Sequence, residues 1–186
     1  MSAAAGTGGR AGVERLRRLL YEEEGLLASL VSPTADGVGG GQRPSPARLA
    51  AEGPRAAGRR EEYELLVEAI YEGYLLHYGE PRVVCVPEAD LRLLAGDQLY
   101  AIGLARLVGL GDTVAVAELA DTITLSALAQ GSGSEQLADA IWTAGARAVG
   151  WGPSEGHARA KELVCGEAPG AFEAMRTSAM AVPTSP

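Results

Sequence analysis

Four polar side chains in the middle of the sequence fall where an apolar helix face is expected: His77, Asp97, Ser126 and Gln130. A carboxylate and an imidazole within hydrogen-bond reach of each other can act as a general acid–base pair, and hydroxyl and amide groups can orient a bound molecule. These four residues are therefore our candidates for a ligand pocket between helices. They form no catalytic signature, so we assign no catalytic residue, no metal ligand and no cofactor.

The same four side chains also have a purely structural interpretation. A buried carboxylate must find hydrogen bonds or a cation, or else take up a proton. A satisfied polar network can fix the register of packed helices without binding any ligand. Both interpretations stay open at this point for each of the four residues.

Three consecutive predicted helices must position these groups. The first spans 61–78 and ends at Gly79, a C-cap that is followed by Pro81. His77 falls on its apolar side. Three glutamates of this helix recur at four-residue spacing, which favours a solvent-exposed face; they are Glu64, Glu68 and Glu72.

The second helix, 88–110, places Asp97 on a face that the helical repeat makes apolar. Its neighbours on that face are Leu93, Leu94, Ala101, Leu104 and Val108, with Asp90 two turns earlier. The opposite face carries Glu88, Arg92 and Arg106. We therefore expect Asp97 to point into the core. The third helix, 113–130, begins after the predicted N-cap Asp112 and carries Ser126 and Gln130.

The remaining segments complete an all-α prediction, a compact bundle of about six helices. Residues 1–11 are small and polar and are predicted to be disordered. A helix is expected within 12–31. A Gly/Pro-rich linker over 32–58, with one helical turn near 47–52, is predicted to be disordered. The helical domain covers 59–182. It includes a short extended run at 83–86 and further helices at 135–149, 154–164 and 168–180.

Composition limits the possible functions. The formal charge of −8 and the pI near 4.8 argue against nucleic-acid binding, which requires clustered Lys and Arg. The two cysteines, Cys85 and Cys165, are interpreted as reduced thiols of a cytoplasmic protein. No apolar run approaches the roughly 20 residues of a membrane span, and no signal peptide is recognised.

Within 63–130 the sequence resembles the middle of trans-polyprenyl diphosphate synthases. The matching residues are Leu94-Ala-Gly-Asp97-Gln-Leu-Tyr-Ala-Ile-Gly-Leu, the Gly111-Asp112 turn and the following Ala117-Glu-Leu-Ala-Asp-Thr-Ile123. Upstream, Tyr74-Leu-Leu-His77-Tyr-Gly79 is similar to the helix end Leu-Ile-His-Asp-Asp of that family. The resemblance implies an isoprenoid-synthase-like helical core with a central crevice.

The sequence departs from that family at the chemistry. The first Asp-Asp-x-x-Asp motif should start at Tyr78, where it is absent, and no second motif follows, because Asp121 and Asp139 stand alone. The segment 77–96 is also too short for the family's basic diphosphate-binding residues. Those carboxylates hold Mg²⁺ bridged to diphosphate and stabilise the leaving group. Prenyl transfer is therefore not expected.

Three hypotheses follow. The first is a non-catalytic binding or regulatory subunit that associates with itself or with a protein partner. Gly96, Gly103 and Gly145 would allow close helix contacts, and Trp142 or Trp151 would anchor the interface. The second is a protein that binds an isoprenoid-like or other hydrophobic small molecule, or acts on it as an enzyme. The third is a structural helical module.

Overall fold

The computed structural model describes residues 5–23, 25–32 and 45–180, and these ranges are helical apart from turns and one isolated antiparallel bridge. The all-α prediction is thereby confirmed for the described residues. Their α-helices are α1 (Ala5–Glu22), α2 (Leu26–Leu30), α3 (Pro46–Glu52), α4 (Arg60–Tyr78), α5 (Ala89–Gly109), α6 (Thr113–Gly131), α7 (Glu135–Trp151), α8 (Glu155–Cys165) and α9 (Ala171–Met180). A 3₁₀ turn, Pro54–Ala56, follows α3.

The N-terminal part of the chain differs from expectation. Residues 5–11, whose composition predicts disorder, belong to α1. The single helix expected within 12–31 is interrupted at Gly25, whose φ of 110° lies in the left-handed region that glycine tolerates. Within the expected linker 32–58, α3 forms where one helical turn is predicted and the 3₁₀ turn follows it, so the prediction of disorder is wrong for these residues. Residues 1–4, 24, 33–44 and 181–186 lie outside the described residues.

The described residues form two compact units. The first comprises those of 1–48 and 59–106, and the second those of 49–58 and 107–186. In the first unit, α1 and α2 pack with α4, α5 and the 83–86 segment around an aliphatic core. Arg15 of α1 forms an ion pair with Glu64 of α4. None of the described helices combines the length and the apolar character that a membrane crossing requires.

The 83–86 segment finds a partner that the sequence did not reveal. Val84 forms an antiparallel bridge with Val31, the residue that follows α2. The amide of Ser32 donates to the carbonyl of Val83 at 2.8 Å, and the amide of Cys85 donates to the carbonyl of Leu30 at 2.9 Å. This short pairing satisfies the backbone of a buried valine run without a sheet.

Glycines bring α4 and α5 into close contact. A Cβ atom at Gly96 would lie 2.6 Å from the ring of His77, and one at Gly73 would lie 2.9 Å from the carbonyl oxygen of Gly96. Gly103 faces Ile70 in the same way. The glycines expected to allow contact with another protein therefore serve a contact within the first unit.

This contact reverses the predicted orientation of α5. Ala95, Gly96, Leu99 and Gly103 are buried, whereas Asp97, Leu93 and Leu94 are exposed. The expectation that Asp97 points into the core is therefore wrong. The prediction places leucines in the core, but the close approach of two helices needs small residues on the buried side. Val108, in the second unit, is also exposed.

Gly103→Ala should lower the free energy of unfolding by about 1–3 kcal/mol, because the new methyl group would overpack a closed contact. Its carbon would lie 2.9 Å from Cδ1 of Ile70 and 3.0 Å from the carbonyl oxygen of Leu66. Gly109→Ala, on the same helix with open space around it, is the matched control and should be neutral or slightly stabilising. Urea unfolding of both variants decides, and equal effects would contradict the close α4–α5 contact.

The second unit is built on α6 to α9. Trp142 of α7 is 2% exposed and lies in the core of this unit, so the prediction that it anchors an interface is wrong. Trp151 is half-buried, with the guanidinium carbon of Arg147 4.6 Å from its ring centroid. A Cβ atom at Gly145 would meet the side chain of Thr122 on α6, so this glycine also serves a contact inside the chain.

Candidate functional site

His77 and Asp97, predicted as site residues on separate helices, lie together in the first unit. Nε2 of His77 is 3.2 Å from Oδ1 of Asp97. The imidazole comes from the last turn of α4, and its close approach to α5 depends on Gly96. The Asp97 side chain is 68% exposed, whereas that of His77 is 14% exposed. The pair therefore lies at the surface of this unit and not in its interior.

Two tyrosine rings contact His77, and a third tyrosine ring contacts one of these two. The ring of Tyr100 is stacked on that of His77, with centroids 5.3 Å apart and planes 4° apart. The ring of Tyr78 lies 5.7 Å from that of His77 and 5.5 Å from that of Tyr74. Burial raises the pKa of the Tyr100 phenol, and the nearby Tyr78 and Asp97 raise it further. The Tyr100 phenol therefore loses its proton less readily than an ordinary tyrosine does.

Ser126 and Gln130 belong to the second unit. Ser126 is buried, and its hydroxyl donates to the carbonyl of Ile123 at 3.1 Å, a local bond within α6. Gln130 is half-buried near the end of α6, and its carbonyl accepts from the amide of Gly133 at 2.9 Å. For Ser126 the local bond agrees with the structural interpretation. A pocket that unites all four residues stays a prediction.

A buried charge cluster on α4 was missed by the sequence reasoning. Glu68 and Glu72, predicted to face solvent, are both fully buried. Oε1 of Glu72 accepts from the amides of Arg82, Val83 and Val84 at 2.7, 2.6 and 3.2 Å. Arg82 forms ion pairs with both glutamates, and its guanidinium carbon lies 5.0 Å from the ring centroid of Tyr71. The cluster holds the 82–84 segment against α4.

The charge balance of this cluster explains its titration. Two buried carboxylates share one guanidinium, so one negative charge would remain if both were ionised. Burial raises the pKa of Glu68 to about 7 although Arg82 lowers it, because desolvation dominates and the neighbouring Glu72 adds repulsion. The sequence contains one signal of this burial: the residues that precede and follow Glu68 and Glu72 are largely apolar. A helix with apolar residues on all its faces is usually buried.

Arg92, placed on the predicted outer face of α5, caps the end of α4. Its guanidinium donates to the carbonyls of Leu76 at 2.6 Å and Leu75 at 3.2 Å, and also to that of Gly79. A cation at a helix C-terminus satisfies free carbonyls and complements the helix dipole. This role fixes the side of α5 that faces α4.

A second histidine network, also missed, lies in the second unit. His157 of α8 contacts the hydroxyl of Ser178 through Nδ1 at 2.8 Å and Oε2 of Glu118 through Nε2 at 3.0 Å. Lys161 donates to both oxygens of Glu118 and to Asp121. The hydrogen bonds of His157 and Lys161 lower the pKa of Glu118, although burial opposes them.

This network contains the residue types of a serine hydrolase, but its geometry favours a structural role. In a catalytic triad the serine contacts Nε2 and the acid contacts Nδ1. Here the two nitrogens have the opposite partners. Ser178 also lies within α9, so its backbone amide points along the helix and is not available to stabilise an oxyanion. The network connects α6, α8 and α9.

The feature best suited to a function is the outward face of α5, defined as Leu93, Leu94, Asp97, Ala101 and Leu104. Leu93 is 47% exposed and Leu94 56% exposed. Ala101 is exposed and Leu104 is half-buried. The face therefore presents adjacent apolar side chains to solvent around one carboxylate. Contiguous exposed apolar side chains on a helix are typical of an interaction surface.

Comparisons with known proteins give no relative from which a role could be transferred. The chain matches no family model, no curated protein and no solved structure.

Proposed function

We propose that this chain is a non-catalytic helical subunit that binds a protein partner through the outward face of α5. The observation that carries the proposal is the exposure of Leu93 and Leu94. When a partner covers roughly half of a leucine side chain, apolar area is removed from water, and this contributes about 1 kcal/mol of binding free energy for each residue. Leu93 and Leu94 lie on one turn of α5, and Ala101 lies two turns later. Because the alanine side chain is small, a partner helix can approach α5 closely at that turn.

The charge of this face favours a partner that differs from the chain itself. Its ionisable residue is Asp97, and the exposed Asp90 lies at the start of the same helix. The two arginines of α5 are engaged elsewhere, Arg92 with carbonyls of α4 and Arg106 with Glu23. A second copy, which also carries a net charge of −8, would bring carboxylates together without a compensating cation.

The resemblance to trans-polyprenyl diphosphate synthases is part of the same proposal. A helical scaffold of that kind, without the acidic clusters that hold magnesium and diphosphate, would keep binding surfaces and lose turnover. The sequence supports this through Tyr78 and Gly79, which stand where the first acidic motif would begin.

The double substitution Leu94→Glu/Ala101→Glu should abolish partner binding while leaving the fold intact, because both side chains are exposed. We expect at least a tenfold loss of copurified partner, since two buried apolar contacts would be replaced by carboxylates. Tagged protein expressed in its own host, with quantitative mass spectrometry of the eluate, makes the measurement.

Leu26→Glu provides the matched control, because Leu26 is also an exposed leucine but lies on α2. The same set of proteins copurifying with wild type and with the double variant would contradict the proposal. A self-associating chain, detected by light scattering and lost only in the double variant, would assign the face to a second copy instead.

A further inference from the structure

The carboxylate on the outward face of α5 has an unusual environment for an exposed acid. Its Oδ1 atom lies 3.2 Å from Nε2 of His77, whose ring in turn lies 5.7 Å from the ring of Tyr78. Tyr78 is 44% exposed. The ring of Tyr100 stacks on the imidazole of His77. An exposed carboxylate and an exposed aromatic ring therefore flank one histidine.

This combination matches the recognition chemistry of a guanidinium group. A planar guanidinium can donate two parallel hydrogen bonds to a carboxylate, and it can also stack on an aromatic ring. An ammonium group uses the same charges without the planar geometry, so arginine fits better than lysine. The electron-rich faces of tyrosine rings add a cation–π contribution.

The chain does not supply this cation itself from its described residues. Three arginines of the first unit have other partners. Arg82 forms ion pairs with Glu68 and Glu72, Arg92 caps α4, and Arg106 forms an ion pair with Glu23. Among the described Lys and Arg side chains, none lies within ion-pair distance of Asp97, whose ion-pair contact is with His77. The carboxylate is left in the middle of an apolar face with a position open for an external donor.

We infer that Asp97, His77 and Tyr78 form a subsite for an arginine side chain of the partner that docks on the outward face of α5. The inference rests on the proposed function and specifies the partner: an apolar helix that carries an arginine among its contact residues. The apolar contacts with Leu93 and Leu94 supply affinity, and the arginine sets register and orientation. Without the arginine, Asp97 would be desolvated when the face is covered, with only its contact to His77 to compensate.

The test uses the full chain and a small probe, Nα-acetyl-argininamide, followed by amide chemical shifts at low ionic strength. We expect saturable shifts at residues 77, 78, 97 and 100, with millimolar affinity, and about tenfold weaker binding to Asp97→Asn. The citrulline analogue has nearly the same shape without the charge and should not bind. Asp90→Asn removes an exposed acid of the same helix that lacks this aromatic setting, and it should bind like wild type.

Equal shifts with the arginine and citrulline probes, or unchanged binding by Asp97→Asn, would overturn the inference. Copurification separates this failure from failure of the proposed function. If Leu94→Glu/Ala101→Glu loses the partner but the arginine probe does not bind, the interaction surface stands and the arginine subsite is rejected. If the probe binds but the double variant keeps its partner, the docking surface itself is rejected, and the inferred partner with it.

Discussion

Glu72→Ala should lower the free energy of unfolding by about 3–5 kcal/mol, the largest effect that we expect for a single substitution. The Glu72 carboxylate accepts hydrogen bonds from three backbone amides of the 82–84 segment and forms an ion pair with Arg82. Its removal leaves these donors buried without an acceptor, and an unpaired buried donor is more destabilising than a missing bond. Urea unfolding followed by circular dichroism measures the loss.

Glu80→Ala is the control for this substitution. Glu80 follows the same helix but is exposed, and its replacement should change stability by no more than about 0.5 kcal/mol. Glu72→Gln covers the case in which the alanine variant does not fold, since its amide oxygen can still accept from the backbone. A loss below about 1 kcal/mol for Glu72→Ala would show that the cluster does not hold the 82–84 segment.

Wild-type stability should fall relative to that of Glu68→Gln as pH rises from about 4.5 to about 7. The pKa of Glu68 is 4.5 when unfolded and is raised to about 7 by burial in the folded chain. The folded state therefore binds this proton more strongly, and the stability that the proton contributes is complete below pH 4.5. This stability is lost as Glu68 ionises, and the difference between the two pKa values corresponds to about 3 kcal/mol of free energy of unfolding.

The measurement compares the free energies of unfolding of wild type and Glu68→Gln between pH 4.5 and 8, so that titrations common to both proteins cancel. Glutamine resembles the protonated acid and does not titrate in this range. Glu62→Gln, at an exposed position of the same helix, should track wild type at every pH. A pH-independent difference between wild type and Glu68→Gln would mean that Glu68 is not the group that takes up the proton.

Helix ends were predictable because local chemistry decides them. Gly79 ends α4, with its amide bonded to the carbonyl of Leu75, and Asp112 caps α6 by accepting from the amide of Ala115 at 3.0 Å. Gly111, before that cap, has a φ of 74° that favours glycine. These features need only a few neighbouring residues and no knowledge of tertiary contacts.

The side of a helix that is buried was harder to predict, because it depends on partners that are distant in sequence. The apolar and acidic residues of α5 were grouped correctly, but the group faces outward, since Gly96 and Gly103 mark the contact with α4. The spacing of Glu68 and Glu72 in α4 predicts a hydrated face, yet both are buried in the first unit, where they form ion pairs with Arg82, ten or more residues away. A periodic pattern predicts which residues share one face of a helix, but it does not predict whether that face is buried or exposed.

Of the candidate site residues, the pairing of His77 with Asp97 was within reach of the sequence. The two residues lie on consecutive helices that a short connection makes antiparallel neighbours. The network of His157 with Glu118 and Ser178 was not, because each member lies on a different helix with no common spacing. Neither the exposure of Asp97 nor the aromatic rings beside His77 follow from periodicity.

The most direct test of the interaction surface is site-specific photo-crosslinking in the native host. A photoreactive amino acid placed at position 94 or 101 should form an adduct with one discrete protein, because both positions lie on the outward face of α5. The same residue placed at position 26, an exposed leucine of α2, should not form that adduct. Absence of adducts at 94 and 101, or the same adducts at position 26, would contradict the assignment of this face as the site of partner binding.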